Sequence, residues 1–297
     1  MNIQSEKPVL SVKDLNVIYT HQGKASPLFK KSISLQVYPQ QLFVVTGPSG
    51  TGKSSILSAI LGLVNYTGEI KATERYNFLT IQNALDQKET LQYNFNKYYQ
   101  MFGVKIDWSL LKAYVNVHQN VTWDQRVDTL SFGTKRRFAL YRVLYDRNAE
   151  LFLLDEPTTG FDQANTENFI RLISEQRLKN KKSYFIITHD HTVLKHATAI
   201  LLLSEHCLTL RQEQYRGFFK FRPALKHDFE KLCATLKIPC NLVFSYGSTN
   251  YVIYEVYNNK AYDRVNAVLN YDEKWRAQSL NKKAGEPLDK FIKFYNL

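Results

Sequence analysis

The sequence predicts an α/β fold, a mostly parallel sheet flanked by helices, followed by a smaller α+β unit. Two observations carry the first part. Between the apolar strand at residues 41–46 and His189, short apolar runs alternate with helical patterns, the order that builds a parallel sheet. The joint between the strand at 42–45 and the helix that follows is a glycine-rich loop, residues 47–54. The third observation concerns the tail: after Leu203 the register changes again, to a mixture of strands and helices that reads as a compact unit of its own.

The elements follow in order. Residues 9–19 and 33–37 alternate as strands of a small β-rich flap, separated by a polar loop containing Gly23 and Pro27. A helix is predicted over 54–63 and a strand over 78–81. Between 83 and 130 the pattern becomes polar and aromatic with few β-branched runs, which predicts a helical insertion. Strands return at 151–154 and 184–188. In the tail, 215–221 and 251–257 read as strands and 261–269 as a helix, with a final turn around 287–295. Leu225, Phe229, Leu232, Cys233 and Leu236 recur at helical spacing and stop before Pro239. The division between the two units is expected after residue 206.

Composition narrows the function classes. The 297 residues, 44% apolar and 13% aromatic, can fill a large core and a second small one. Apolar runs such as 151–154 and 199–203 are far below the roughly 20 residues that cross a bilayer. With no basic segment and apolar core at the N-terminus, cytosolic residence without membrane insertion is expected. Cys207, Cys233 and Cys240 are odd in number and lack CxxC spacing, so they read as buried thiols, not as ligands or disulfides. A net charge of +12 makes the surface attractive to phosphate groups of any kind. Residues 207–297 are the more basic part, with 15 Lys and Arg against 9 Asp and Glu.

The glycine-rich loop carries the first chemistry. Gly47-Pro48-Ser49-Gly50-Thr51-Gly52-Lys53-Ser54 fits GxxxxGK[ST] at every required position, between a strand and a helix. Gly47, Ser49, Gly50, Thr51 and Gly52 let backbone N–H groups converge on phosphate oxygens, with Ser55 in the helix turn behind them. Lys53 reaches the β- and γ-phosphates, and the Ser54 hydroxyl can ligand Mg²⁺. This is the pattern of a P-loop NTPase. The second site is the run Leu151-Phe152-Leu153-Leu154, which ends in Asp155 and Glu156 and is stopped by Pro157. In a P-loop enzyme such a strand lies beside the phosphate loop, where Asp155 holds Mg²⁺ through water and Glu156 polarises an attacking water.

Leu130-Ser131-Phe132-Gly133-Thr134, followed by Lys135-Arg136-Arg137, then separates this chain from other P-loop proteins. It resembles the LSGGQ signature of the ABC ATPase family, keeping Leu130, Ser131 and Gly133 and departing at Phe132 and Thr134. The resemblance covers about residues 9 to 205. It implies a P-loop NTPase core with an ABC-type β-rich flap and helical insertion in residues 1–206, and a C-terminal α+β accessory domain in 207–297. It also implies roles for further residues. Tyr19 resembles the aromatic residue that stacks on adenine, and Gln82 the Q-loop glutamine that touches Mg²⁺ and senses a permease. Thr158-Thr159-Gly160-Phe161-Asp162 resembles the D-loop, and His189 the switch histidine that holds the γ-phosphate and the attacking water.

The resemblance implies catalysis by Lys53, Gln82, Glu156 and His189, with ATP and Mg²⁺ as cofactors. Ser131 and Gly133 would meet the γ-phosphate of ATP held by a second cassette, since a signature of this type serves the opposite subunit. A homodimer is expected because one chain carries the complete set. The implied function is the ATPase subunit of an ABC transporter, peripheral on the cytoplasmic face of the membrane and driving a separate integral permease, with export favoured over import. The alternative is a soluble or regulatory ABC ATPase that drives a membrane complex, or acts on nucleic acid or ribosomes, without transport. Nucleic acid is the weaker partner, because no long coiled coil fits between Gln82 and Ser131 and there is one phosphate loop.

Overall fold

The computed structural model describes residues 7–21, 24–80, 85–101, 103, 121–203, 208–211, 217–221, 223–238, 240–245, 252–256, 264–265, 267–269 and 279–282. The flap forms around β1 (Leu10–His21), which pairs antiparallel with β2 (Lys24–Pro27), β3 (Ile33–Val37) and, later in the chain, a strand at Tyr66–Ala72. The buried residues of β1 are Leu10, Val12, Leu15 and Val17. Their alternation skips a residue at Asp14, where φ is 51° and the pairing register shifts. That bulge re-phases the strand so that both halves face the same core.

The polar loop expected between the first two flap strands contains β2. Its four residues are all exposed, so it carries no apolar alternation and exists only through its ladder to β1.

After β3 the chain runs, in order, through β4 (Leu42–Thr46), α1 (Lys53–Ile60), the flap strand β5 (Tyr66–Ala72), β6 (Tyr76–Leu79), α2 (Leu91–Met101), α3 (Phe132–Leu144), β7 (Leu151–Asp155), α4 (Gln163–Asn180), β8 (Ser183–Ile187), α5 (His191–Lys195), β9 (Ala199–Leu202) and β10 (Leu208–Arg211), and all of these strands but β5 form a second sheet. Its strand order is β10-β9-β4-β8-β7-β6, parallel except for the antiparallel β9–β10 pair. Every residue of β4, β7, β8 and β9 is buried, as both faces of a parallel sheet require.

Alternate residues serve different cores. Leu42, Val44, Phe152, Leu154, Tyr184 and Ile186 pack with α2, α3, α4 and α5. Phe43, Val45, Leu151, Leu153, Phe185 and Ile187 pack with α1 and the flap. The sheet is thus a wall between a helical side and a β side.

In the expected insertion, α2 presents Leu91, Phe95 and Tyr99 to the helical core, and Phe95 meets Trp123 and Phe138 edge-on. Residues 104–120 of that insertion lie outside the described residues. The large sheet reaches past the division expected at residue 206, because β10 is hydrogen-bonded along β9. Beyond it, β11 (Gly217–Phe221), α6 (Lys226–Thr235), β12 (Cys240–Ser245), β13 (Val252–Val256) and β14 (Ser279–Lys282) include an antiparallel sheet of order β12-β13-β11-β14. Phe229 and Cys233 are the buried face of α6. Cys207 and the expected turn at 287–295 lie outside the described residues.

Candidate nucleotide site

The phosphate loop leaves the carboxyl end of β4, where open parallel sheets place their ligands. Gly47 is held at φ 143°, and a Cβ there would stand 2.1 Å from the carbonyl oxygen of Leu203 at the end of β9. Only glycine lets the loop pass this close to the neighbouring strand. Further on, the Thr51 hydroxyl donates to the Pro48 carbonyl over 2.9 Å and closes the turn that contains Ser49 and Gly50. Gly52, left-handed, precedes α1 without any side-chain cap, and no acid occupies the helix's first turn. The helix start is therefore left open to an external anion.

Lys53 is 8% exposed, and its ammonium donates to the carbonyls of Gly47 and Pro48, each at 2.8 Å. Burial lowers its pKa, while Glu156 and Asp155 push it back up.

The acids come from the end of β7, two strands away in the same sheet. The Asp155 carboxylate accepts from the Ser54 hydroxyl, yet its Oδ1 is buried with no hydrogen-bond partner among the described residues. Burial raises its pKa, opposed by Ser54, Arg136 and Lys53. A buried carboxylate oxygen beside a serine hydroxyl fits the hard, oxygen-ligated Mg²⁺ of a phosphate site.

Glu156 has φ 45°, a conformation that costs a side-chain-bearing residue about 1–3 kcal/mol and concentrates at functional sites. Its N–H donates to the Ile187 carbonyl at 2.8 Å. Thr188 Oγ1 donates to Glu156 Oε2 over 3.2 Å, and His189 Nε2 lies 3.8 Å from Oε1. Burial raises the Glu156 pKa, with Asp155 adding to it while Thr188, the His189 N–H and Lys53 oppose it. His189 is pushed the other way, first by burial and then by Lys53 and His191, which favours a neutral imidazole. Lys53, Ser54, Asp155, Glu156 and His189 are therefore brought together at one sheet edge. Gln82 lies outside the described residues.

Tyr19 stands 45% exposed near the end of β1, its hydroxyl 2.9 Å from Ser55 Oγ on the first turns of α1. This puts the ring beside the phosphate loop's helix. The signature residues open α3: Ser131 caps the helix by accepting from the Thr134 N–H at 3.3 Å, and its hydroxyl lies 2.8 Å from Thr134 Oγ1. Phe132 is 68% exposed. Gly133 packs so closely on the D-loop that a Cβ would meet the Gly160 oxygen at 2.7 Å. Asp162 caps α4 by accepting from the Asn165 N–H.

Two residues at this site had no assigned role in the sequence. Thr188 touches the candidate base, and a hydroxyl directly before His189 at a strand end was the available signal. Arg136 donates to the carbonyls of Thr80, Asp155 and Glu156, and backbone acceptors leave no trace in residue pattern.

Comparison with known proteins agrees with this geometry. The family model described as ABC transporter matches residues 30–159. The probable ABC transporter ATP-binding protein p29 of Mycoplasma genitalium is 28% identical, over 69% of this chain and 91% of its own length. The manganese transport system ATP-binding protein MntB of Halalkalibacterium halodurans is 29% identical, over 68% of this chain and 85% of its own. The zinc import ATP-binding protein ZnuC of Cereibacter sphaeroides is 28% identical, over 59% and 72%. Among solved structures, a dimeric ATP-binding cassette in a post-hydrolysis state bound to ADP and Pi superposes with a TM-score of 0.57 at 20% identity, covering 66% of this chain and 94% of that one. The phosphate loop, the acidic strand end, the signature helix and these relatives make the chain an ATP-hydrolysing cassette of the ABC type, similar to the ATP-binding proteins of transporters.

Proposed function

We propose that two copies of this chain close on two Mg·ATP molecules and so drive a separate membrane-embedded permease. The observation that carries the reading is the buried Oδ1 of Asp155 beside Ser54 and Lys53, a metal-ligand position with no hydrogen-bond partner among the described residues. Ser54 and Asp155 would hold Mg²⁺, which supplies charge neutralisation on the β- and γ-phosphates. Lys53 leaves the Gly47 and Pro48 carbonyls for phosphate oxygens, and the uncapped start of α1 presents its N–H groups to the same anion. Tyr19 offers an exposed ring to the base. Glu156 accepts a proton from the attacking water, and neutral His189 beside it orients that water.

Ser131 and Gly133 serve the nucleotide of the other copy, for which the dimeric cassettes among the structural neighbours give the precedent. Gln82 would complete the metal shell. The permease and the cytoplasmic membrane face rest on the transport names of the relatives. The relative named for zinc import supports import, and the preference for export drawn from the sequence finds no support in these relatives. We divide the chain after Arg211, with residues 217–282 belonging to an accessory unit.

The test is Glu156→Gln, which keeps shape and removes the base. Turnover should fall about 10²–10⁴-fold, and the unhydrolysed ATP should hold two chains together on size-exclusion chromatography, while wild type with ADP elutes smaller. Wild-type turnover with no nucleotide-dependent association would overturn the reading. For the permease, an integral membrane protein should co-purify with the chain from detergent-solubilised membranes.

A further inference from the structure

Arg136 sits five residues beyond Ser131 on α3, and its guanidinium grips backbone at two places distant in sequence. Nη2 donates to the carbonyl of Asp155 at 2.6 Å and to that of Glu156 at 3.2 Å, while Nη1 donates to the carbonyl of Thr80 at 3.0 Å. The first two carbonyls flank the metal-binding acid and the base. The third lies just beyond β6, two residues before Gln82. A planar fork of donors suits such a set, and a lysine's point charge does not.

The grip matters because of what it holds. Glu156 is at φ 45°, outside the conformations a glutamate prefers, and such a residue persists only where its surroundings over-determine it. Its N–H donates to Ile187, its carboxylate accepts from Thr188 and from the His189 N–H, and its carbonyl accepts from the Thr159 N–H and from Arg136. Only the last comes from the signature helix. Ser131 and Arg136 are separated by about 7.5 Å of helix. A helix does not stretch over that length, so a displacement of Ser131 moves the guanidinium with it.

We propose that Arg136 is a positioning residue that couples the two nucleotide sites of the dimer. This rests on the composite-site reading above. Ser131 engages the γ-phosphate held by the other copy, α3 shifts as a rod, and Arg136 sets the backbone of Asp155 and Glu156 beside the chain's own nucleotide. Occupancy of one site thereby tunes the base of the other. Asp155 and Glu156 remain the groups that touch metal and water.

The experiment compares wild type, Arg136→Gln and Arg136→Lys as full chains, measuring nucleotide affinity with a fluorescent ATP analogue and turnover against ATP concentration. For Arg136→Gln we expect affinity within about threefold of wild type, kcat lowered on the order of 10²-fold, the scale for a small misplacement of a catalytic group, and a Hill coefficient reduced to 1. Arg136→Lys should fall between the two in both kcat and Hill coefficient. A structural role alone would lower thermal stability and affinity together and leave the Hill coefficient in place; that result overturns the proposal. So does a wild-type Hill coefficient of 1, or an unchanged kcat in Arg136→Gln. Should Arg136→Gln fail to fold, the lysine variant decides: intermediate values support the coupling and wild-type values overturn it. Glu156→Gln is run alongside. If it hydrolyses ATP at the full rate, the composite-site reading itself has failed; if it is inactive while Arg136→Gln is unaffected, only the coupling has.

Discussion

The Thr188 hydroxyl donates to the same Glu156 carboxylate that His189 approaches, so one strand end supplies both the restraint on the base and its neighbouring imidazole. Thr188 is fully buried, and its hydrogen bond is the leading influence that keeps the Glu156 pKa from rising further under burial. Thr188→Val removes it. The base must be ionised to work, so the ascending limb of the pH–rate profile should move to higher pH. Activity near neutrality should change less than activity at the acid end. A profile coincident with wild type would show that Thr188 does not tune the base.

Glu156→Gln should also raise thermal stability at neutral pH. Burial lifts the folded-state pKa above the unfolded one, so the charged form is disfavoured by the fold. The cost is present above the folded pKa and disappears as pH falls below the unfolded value. The variant's advantage, about 2–4 °C for each kcal/mol relieved in a protein of this size, should therefore shrink as pH is lowered. Calorimetry at several pH values checks the slope.

Lys53→Ala removes the one point charge aimed at the phosphates. In the protein alone this ammonium bonds two loop carbonyls, so its loss should cost folding little. ATP affinity by isothermal titration should drop on the order of 100-fold, the equivalent of one or two charged hydrogen bonds. Unchanged affinity and turnover would reject the site.

Gly133→Ala separates binding from hydrolysis. The added Cβ meets the Gly160 carbonyl oxygen at 2.7 Å, so the signature must move away from the D-loop. Monomer ATP affinity should stay within about twofold, since Lys53 and the phosphate loop are untouched. Turnover should fall at least tenfold. Equal losses in affinity and turnover would place the damage in general folding instead.

How far the site could be read from sequence follows from the kind of interaction. The phosphate loop was legible because glycine spacing between strand and helix encodes backbone conformation directly. The run 151–154 was legible because burial on both faces forbids polar residues. Exposed strands were not: β2 and β5 are almost wholly solvent-facing, defined by ladders to β1 and by no periodicity of their own. Arg136 was visible only as part of a basic run, since its partners are carbonyls 19, 20 and 56 residues away. The pairing of β10 with β9 was not legible either, being an antiparallel addition that an alternating strand–helix pattern does not announce.

That added strand bears on how the chain can be shortened. β9 has β4 on one side and β10 on the other. A protein ended at residue 206 would leave Ala199–Leu202 as a bare border, four apolar residues with a row of unsatisfied N–H and C=O groups. Such a border recruits strands from other molecules, and the shortened protein would form insoluble assemblies for reasons unrelated to nucleotide or signature. Ending after Arg211 keeps the border sealed by the chain's own strand.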